Sequence, residues 1–318
     1  MSTATDLAQR ARESSVTPWV RDNVGLFLVL PGLFLFSAFM FYPVLYLLYL
    51  SFTKATNAPP ASIHNGNEQF IGLENYVSIL SDPSFWNSMG VTWLFVATSV
   101  VLKLAFGIAV ALVLTGERVR GQRFLRSLVI LPMGLPAVFS ITVWSKIFDN
   151  ARYSLSNKIL LELGLEKANW MTERWLAFFT YNVTEVWLAY PFIVIITVSA
   201  LQDVPEELHD AARVDGAGYV HRFRHVTLPA IKRPVMFGGI LTSAASFQQF
   251  LIPFIFNDGG PGSANSLLIH YGYTEAFGQT PPAYGRAASI MMLTLLFIGA
   301  FMWLNVKKGK LAEGVDER

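Results

Sequence analysis

The stretch Asp210-Ala-Ala-Arg-Val-Asp-Gly216, followed after nine further residues by Val226-Thr-Leu-Pro229, decides how this chain folds. It is a polar segment between two apolar segments that are each long enough to cross a bilayer. Its pattern predicts an amphipathic helix from Glu206 to Val214, and Gly216 suits the left-handed turn that ends such a helix. A second helix is predicted from Tyr219 to Leu228, stopping at Pro229. We therefore expect a helix-turn-helix on a membrane surface.

The composition is that of a membrane protein. Of 318 residues, 53% are hydrophobic and 14% are charged, with a mean hydropathy of +0.43. Soluble domains carry about 25% charged residues. The sequence contains six apolar stretches, and each reaches the roughly 20 residues that a spanning helix needs. These stretches are 24–50, 91–114, 124–148, 175–201, 234–256 and 287–306. The predicted fold is an all-α polytopic membrane protein with six transmembrane helices and a helix-turn-helix loop.

The positive charges divide strongly between alternate polar segments. Sixteen Lys and Arg residues fall in 1–23, 115–123, 202–233 and the C-terminal region (with Arg126 just inside the third stretch), whereas six fall in the segments between them. By the positive-inside rule, both termini and loop 202–233 are cytoplasmic, in a multi-pass protein of the cytoplasmic (inner) membrane. The predicted organisation is a cytoplasmic segment 1–23, one transmembrane domain 24–306 containing loop 202–233, and a cytoplasmic tail 307–318.

The sequence lacks the residues that several kinds of chemistry require. The chain has no cysteine, so it has no disulfides and no thiolate metal ligands. No phosphate-binding Gly-x-x-x-x-Gly-Lys-[Ser/Thr] loop occurs, so ATP is not expected to bind this chain. His221 and His225 have a spacing that suits a metal, but they lie among arginines without a third ligand. We expect no metal site, no cofactor and no catalytic residues, and a membrane-embedded enzyme is the disfavoured alternative.

The polar segment resembles the "EAA" loop of permease subunits in ATP-binding-cassette importers, with Asp210 in place of Glu and Val226 in place of Ile. Further motifs resemble the carbohydrate-type, maltose-type permeases, and in particular the first of the two unlike half-permeases. These motifs are Phe70-Ile-Gly-Leu-Glu-Asn-Tyr76, Ile130-Leu-Pro-Met-Gly-Leu-Pro136, Trp187-Leu-Ala-Tyr-Pro191, Asn257-Asp-Gly-Gly-Pro-Gly262 and Tyr284-Gly-Arg-Ala-Ala288. The resemblance covers about Val24 to Lys308.

The resemblance implies that the chain is one subunit of a multi-subunit transporter. The expected partners are a second, homologous permease, two cytoplasmic ATPase subunits that bind ATP and Mg, an extracytoplasmic solute-binding protein and a sugar substrate, without nucleic acid. Loop 202–233 then couples the chain to the ATPases. The residues expected to do so are Asp210, Ala211, Ala212, Arg213, Asp215, Gly216 and Pro229.

Polar side chains inside the apolar stretches are the candidates for substrate contact, because such residues are costly in a membrane. Hydroxyl, amide and carboxylate groups suit the hydroxyls of a sugar, and an aromatic ring suits its apolar face. Hydrogen bonding between helices explains any single one of these residues equally well. The candidates are Glu185, Trp187, Tyr190, Thr242, Ser246 and Gln248.

Lys103 lies near the middle of the second apolar stretch, and we expect it to pair internally rather than to contact substrate. Lys103 and Glu185 stand about 12 and 10 residues from the outer ends of two helices that run inward, hence at similar depth at ~1.5 Å per residue. We hypothesise that they form an ion pair. The expected substrate is a neutral sugar or small oligosaccharide. A polyol, glycerol phosphate or ion-coupled secondary transport remains the alternative.

Overall fold

The computed structural model describes residues 23–56, 69–116 and 119–308, and it is helical almost throughout. A pair of two-residue antiparallel strands, β1 (Thr53–Lys54) and β2 (Gln69–Phe70), flanks the residues omitted between them. The helices, in chain order, are α1 Val24–Phe36, α2 Tyr42–Ser51, α3 Glu74–Leu80, α4 Pro83–Leu114, α5 Gln122–Gly134, α6 Ala137–Ile147, α7 Leu155–Glu162, α8 Arg174–Gln202, α9 Glu206–Val214, α10 Tyr219–Arg222, α11 Leu228–Phe247, α12 Leu251–Phe256, α13 Leu268–Phe277 and α14 Tyr284–Lys308.

Four continuous helical segments of the described chain are long and apolar enough to cross a membrane. They are Val24–Ser51, Pro83–Leu114, Arg174–Gln202 and Tyr284–Lys307. Helices α5 and α6 together form a fifth candidate, bent by 94°. The stretch 234–256, predicted as one span, is instead divided between α11 and α12. The all-α membrane fold is confirmed, and the count of six crossings stays a prediction.

Prolines account for the breaks in these segments. Leu135 precedes Pro136 and has the extended backbone that a following proline favours, so α5 ends and the chain turns into α6. The break between α11 and α12 contains Gln249, whose carbonyl is the one that the ring of Pro253 would crowd in a continuous helix. π-Helical turns at Ser37–Phe41 and Phe223–Thr227 each lie just before a proline, where an enlarged turn accommodates the missing N–H donor.

Loop 202–233 forms the predicted first helix and turn. Helix α9 spans Glu206–Val214, and Gly216 has a φ of +77°. The Ala217 N–H donates to the Ala212 carbonyl at 2.9 Å, the long hydrogen bond that closes a helix ending in a left-handed glycine. The predicted stop of the second helix at Pro229 is wrong. Pro229 lies in the first turn of α11, where its missing N–H costs nothing, and the chain continues through it to Phe247.

The centre of the bundle is the contact between α4 and α8, with α11 packed on both. Gly107 of α4 lies directly against Ile193 of α8: a Cβ at Gly107 would stand 2.7 Å from the Ile193 side chain. This close approach brings the two helix backbones near each other in the C-terminal half of each helix. By contrast, α1 buries none of its side chains within this chain. The core of the protein is thus built around the three helices that carry the intramembrane polar residues.

Candidate functional site

A buried polar cluster joins the three central helices. The Lys103 ammonium of α4 donates to Glu185 Oε1 of α8 at 2.9 Å and to Ser246 Oγ of α11 at 2.6 Å. Ser246 Oγ also lies 3.0 Å from Glu185 Oε1, as a donor to it. Lys103 and Ser246 are fully buried, and Glu185 is 4% exposed. The predicted ion pair between Lys103 and Glu185 is therefore present.

The second carboxylate oxygen of Glu185 has a different partner. Gln249, in the break between α11 and α12, donates its side-chain amide to Glu185 Oε2 at 2.7 Å. The predicted candidate was its neighbour Gln248, whose exposed side chain donates to the Ala244 carbonyl at 3.3 Å and does not reach Glu185. The sequence contained one signal for Gln249, namely its position four residues before Pro253.

The cluster is electrically neutral and internally satisfied. One ammonium balances one carboxylate, and each Glu185 oxygen accepts at least one hydrogen bond from the protein. Burial of a lone charge at this depth is costly, whereas a paired and hydrogen-bonded charge is tolerated. Glu185 and Ser246, both predicted as candidates for substrate contact, are in direct contact with each other. Because Glu185 is buried, a ligand reaches its carboxylate only if one of the present partners moves away.

The other predicted substrate residues lie around this cluster in different ways. The carbonyl of buried Thr242 lies 2.9 Å from Ser246 Oγ and competes with Glu185 Oε1 for the single hydroxyl proton. Trp187 follows Glu185 by two positions, so it lies on nearly the opposite side of α8. Its ring is 37% exposed and packs at 5.9 Å from Trp144 of α6. Tyr190 packs at 6.0 Å from Trp187 and at 5.0 Å from Phe106.

Trp187→Ala tests whether this ring is a substrate platform. We expect uptake to fall by about three- to tenfold, the effect of losing one aromatic contact, without loss of the ATPase partners that the sequence analysis leads us to expect. The measurement is uptake alongside co-purification of the ATPase with the tagged chain. Trp175→Ala is the matched control, because Trp175 is an exposed tryptophan at the start of the same helix. A parallel loss of ATPase and uptake would identify Trp187 as a packing residue.

A second candidate surface is loop 202–233, at the end of α8. The Arg213 guanidinium donates to Asp210 Oδ1 at 2.8 Å, an exposed pair one helical turn apart. Such an exposed pair contributes little stability. Both side chains are exposed to solvent, and both charges are therefore accessible to a partner. Val214 and Val220 are 89% and 75% exposed, on either side of the Gly216 turn. A cavity of about 450 Å³ lies beside this turn, lined by Ala212, Asp215, Gly216 and the start of the next helix.

His221 and His225 stack with ring centroids 4.4 Å apart on this surface. Within the described residues, no group of three or more His, Cys, Asp or Glu side chains is placed to hold a metal ion. The His225 ring nitrogen instead lies 3.0 Å from the His221 carbonyl. The pair is therefore part of a polar, arginine-rich surface.

An ionic cluster at the opposite end of the bundle was not predicted. Arg286 of α14 forms ion pairs with Asp82 and Glu275, its Nε lying 3.0 Å from Glu275 Oε2. The Tyr271 hydroxyl donates to Asp82 Oδ2 at 2.8 Å, and burial raises the pKa of Tyr271 to about 12. Burial alone would raise the pKa of Asp82. Hydrogen bonds from the Ser84 N–H and the Tyr271 hydroxyl outweigh this effect, and the pKa of Asp82 is lower than its usual value. The cluster ties the start of α4 to α13 and α14.

The loop after α12 is held by buried polar contacts. Asn257 Nδ2 donates to the Met171 carbonyl at 2.6 Å, and the Tyr181 hydroxyl donates to Asn257 Oδ1. His270 is buried between Ser266 and Asp258, at 2.9 Å from each. Burial lowers the pKa of His270, and Asp258 partly offsets this effect. The Asn257–Gly262 motif therefore has a structural role in fixing the end of α12.

A bundle of apolar helices around a sealed polar cluster, with a polar helix-turn-helix at one end, is the architecture of a polytopic membrane protein. The chain belongs to the family described as the binding-protein-dependent transport system inner membrane component, whose model matches residues 103–308.

Similar proteins cover nearly the whole chain. The trehalose/maltose transport system permease protein MalF of Thermococcus litoralis is 32% identical over 290 residues, covering 91% of this chain and 94% of that protein. The sulfoquinovosyl glycerol transport system permease protein SmoG of Agrobacterium fabrum is 29% identical, covering 95% and 97%. A crystal structure of a bacterial ABC transporter that imports the acidic polysaccharide alginate has a similar fold, with a TM-score of 0.74, 16% identity and coverage of 92% and 96%.

Proposed function

We propose that this permease moves a neutral sugar or small oligosaccharide across the cytoplasmic membrane. The observation that supports this substrate class is the neutral cluster of Lys103, Glu185 and Ser246, which offers hydroxyl, amide and carboxylate groups without a net charge. Sugars are recognised by such groups together with aromatic faces. The names of the similar proteins, which include permeases for trehalose/maltose and arabinooligosaccharides, support a carbohydrate substrate.

The proposed substrate site lies on α8 and α11. Glu185, Thr242 and Ser246 form its hydrogen-bonding part, because they meet in the buried cluster. Trp187 and Tyr190 contribute aromatic surface on another side of α8, and Gln248 contributes an exposed amide at the end of α11. The substrate reaches these groups when the helices separate during transport, since the cluster is sealed as it stands.

The proposed energy source is ATP hydrolysis by partner subunits, which also bind Mg. Loop 202–233 is the docking surface, and its exposed Asp210, Arg213 and Asp215 offer pairing charges beside the small side chains of Ala211 and Ala212. Gly216 sets the angle of the loop, and Pro229 lies where the loop joins α11. A second permease completes the pathway across the membrane.

Substrate is proposed to arrive from an extracytoplasmic solute-binding protein. A second structure of the similar alginate transporter, with a TM-score of 0.73, contains a periplasmic protein that carries an alginate pentasaccharide. The distribution of Lys and Arg supports cytoplasmic termini and a cytoplasmic loop 202–233. The ion cluster around Arg286 then faces the binding protein's side of the inner membrane.

Reconstituted transport tests this proposal. The tagged chain is purified with its partner subunits, placed in proteoliposomes with ATP inside and its binding protein outside, and supplied with maltose, sorbitol or glycerol phosphate. We expect ATP-dependent uptake of maltose above uptake of the other two. Preference for sorbitol or glycerol phosphate would favour the alternative substrates. Uptake driven by an ion gradient without ATP would contradict the proposal and show that the protein is a secondary transporter.

A further inference from the structure

Gln249 connects the carboxylate of Glu185 to the start of α12. Its side-chain nitrogen donates to Glu185 Oε2 at 2.7 Å, and its side-chain oxygen accepts the backbone N–H of Ile252 at 3.4 Å. The first N–H groups of a helix have no partner within the helix, so such an acceptor stabilises the first turn. One amide group thus joins the central cluster to a helix that packs on α6.

Among the partners of Glu185 in the described chain, Gln249 is the one that a ligand displaces most easily. Lys103 and Ser246 are each 0% exposed and belong to long helices. Gln249 is half-buried, uncharged and outside any helix. Lys103 and Ser246 both contact Oε1, and therefore hold the carboxylate in place while Oε2 changes its donor.

We infer that Gln249 reports substrate binding: a substrate hydroxyl takes its place on Glu185 Oε2, and the freed side chain no longer stabilises the first turn of α12. This inference rests on the proposed function, because it requires a ligand that carries hydroxyl groups. A hydroxyl and an amide N–H are equivalent donors to a carboxylate, so one hydrogen bond replaces another. Helix α12 leads directly into Asn257, whose contacts fix the loop at the end opposite to loop 202–233.

The link is tested first without ligand, by hydrogen exchange of the purified complex. Gln249→Leu is expected to speed exchange of the α12 amides, residues 251–256 apart from Pro253, by about tenfold, the effect of losing the hydrogen bond that the Ile252 N–H donates to Gln249. Gln249→Asn retains the amide but is one methylene too short, and is expected to act in the same direction. Gln122→Leu is the control, since Gln122 donates to the Gly116 carbonyl and lies outside the proposed substrate site. Unchanged exchange in both Gln249 variants overturns the link.

The displacement is tested by adding maltose to the same complex. In the natural protein maltose is expected to speed exchange of the α12 amides, and in Gln249→Leu it is expected to add nothing further. The half-saturating maltose concentration is expected to fall about tenfold in Gln249→Leu, because its competitor on Glu185 is gone. Weaker maltose binding by this variant would show that Gln249 is itself a ligand, and would overturn the inference. Absence of maltose binding to the natural protein would instead count against the proposed function.

Discussion

Gly216→Val is expected to lower uptake by the assembled transporter about tenfold while the chain still inserts into the membrane. Gly216 has a φ of +77°, and a left-handed backbone costs an L-residue roughly 1–2 kcal/mol, most of all when it is β-branched. A cost of this size changes a conformational equilibrium by about tenfold. No atom lies within 4 Å of the position of the added Cβ, so the effect arises from the backbone alone.

Two further variants separate backbone geometry from side-chain bulk. Gly218→Val adds the same side chain two residues away, where φ is −67° and the added Cβ again has no neighbour within 4 Å, so it is expected to transport normally. Gly216→Asn is expected to retain most activity because Asn tolerates the left-handed region. The measurement is substrate-stimulated ATPase activity together with uptake. Normal stimulation in Gly216→Val would show that the turn does not transmit motion.

The sequence predicted α9 with its observed bounds because the signals for this helix are local. Glu206 to Val214 has helical amphipathicity, and Gly216 suits the left-handed position after it. The second helix was predicted to stop at Pro229 because proline ends helices in general. The π-helical turn at Phe223–Thr227 alters this outcome, and no local pattern in the sequence marks it.

The apolar stretches were harder to divide correctly. The stretch 234–256 is apolar throughout, so hydropathy predicts a single span there. Hydropathy does not show that Pro253 would crowd the Gln249 carbonyl, and the break at Gln249 was therefore missed. The break also decides which of two adjacent glutamines reaches Glu185. Neighbouring side chains of a continuous helix differ by about 100° in direction. A small change in the backbone path therefore decides whether the side chain of Gln248 or that of Gln249 faces Glu185.

The two ionic clusters differ in how far they follow from sequence. The Lys103–Glu185 pair was predicted because both residues are charged, lie in long apolar helices and have similar calculated depths. The Arg286–Asp82 contact joins residues 204 positions apart at the ends of helices, where charged residues are ordinary and many pairings are open. Depth in a membrane restricts the possible partners, and position near an aqueous surface does not.

Lys103→Met and Glu185→Gln are each expected to destabilise the protein by about 3–5 kcal/mol, because each change leaves the other residue as an uncompensated buried charge. Both side chains are nearly inaccessible, so water cannot replace the missing partner. The double variant is expected to be more stable than the sum of the single effects predicts, with an interaction energy of roughly 2 kcal/mol or more. Thermal unfolding of the purified chain in detergent measures all four proteins of the cycle.

Thr98→Val provides the matched control on the same pair of helices. The Thr98 hydroxyl donates to Asn182 Oδ1 at 2.8 Å, a neutral contact between α4 and α8, and its loss is expected to cost about 1 kcal/mol. Strictly additive effects of Lys103→Met and Glu185→Gln would show that the observed ion pair contributes no coupling. The Glu185 carboxylate would then need another source of compensation at that depth, and a bound substrate would be the remaining candidate.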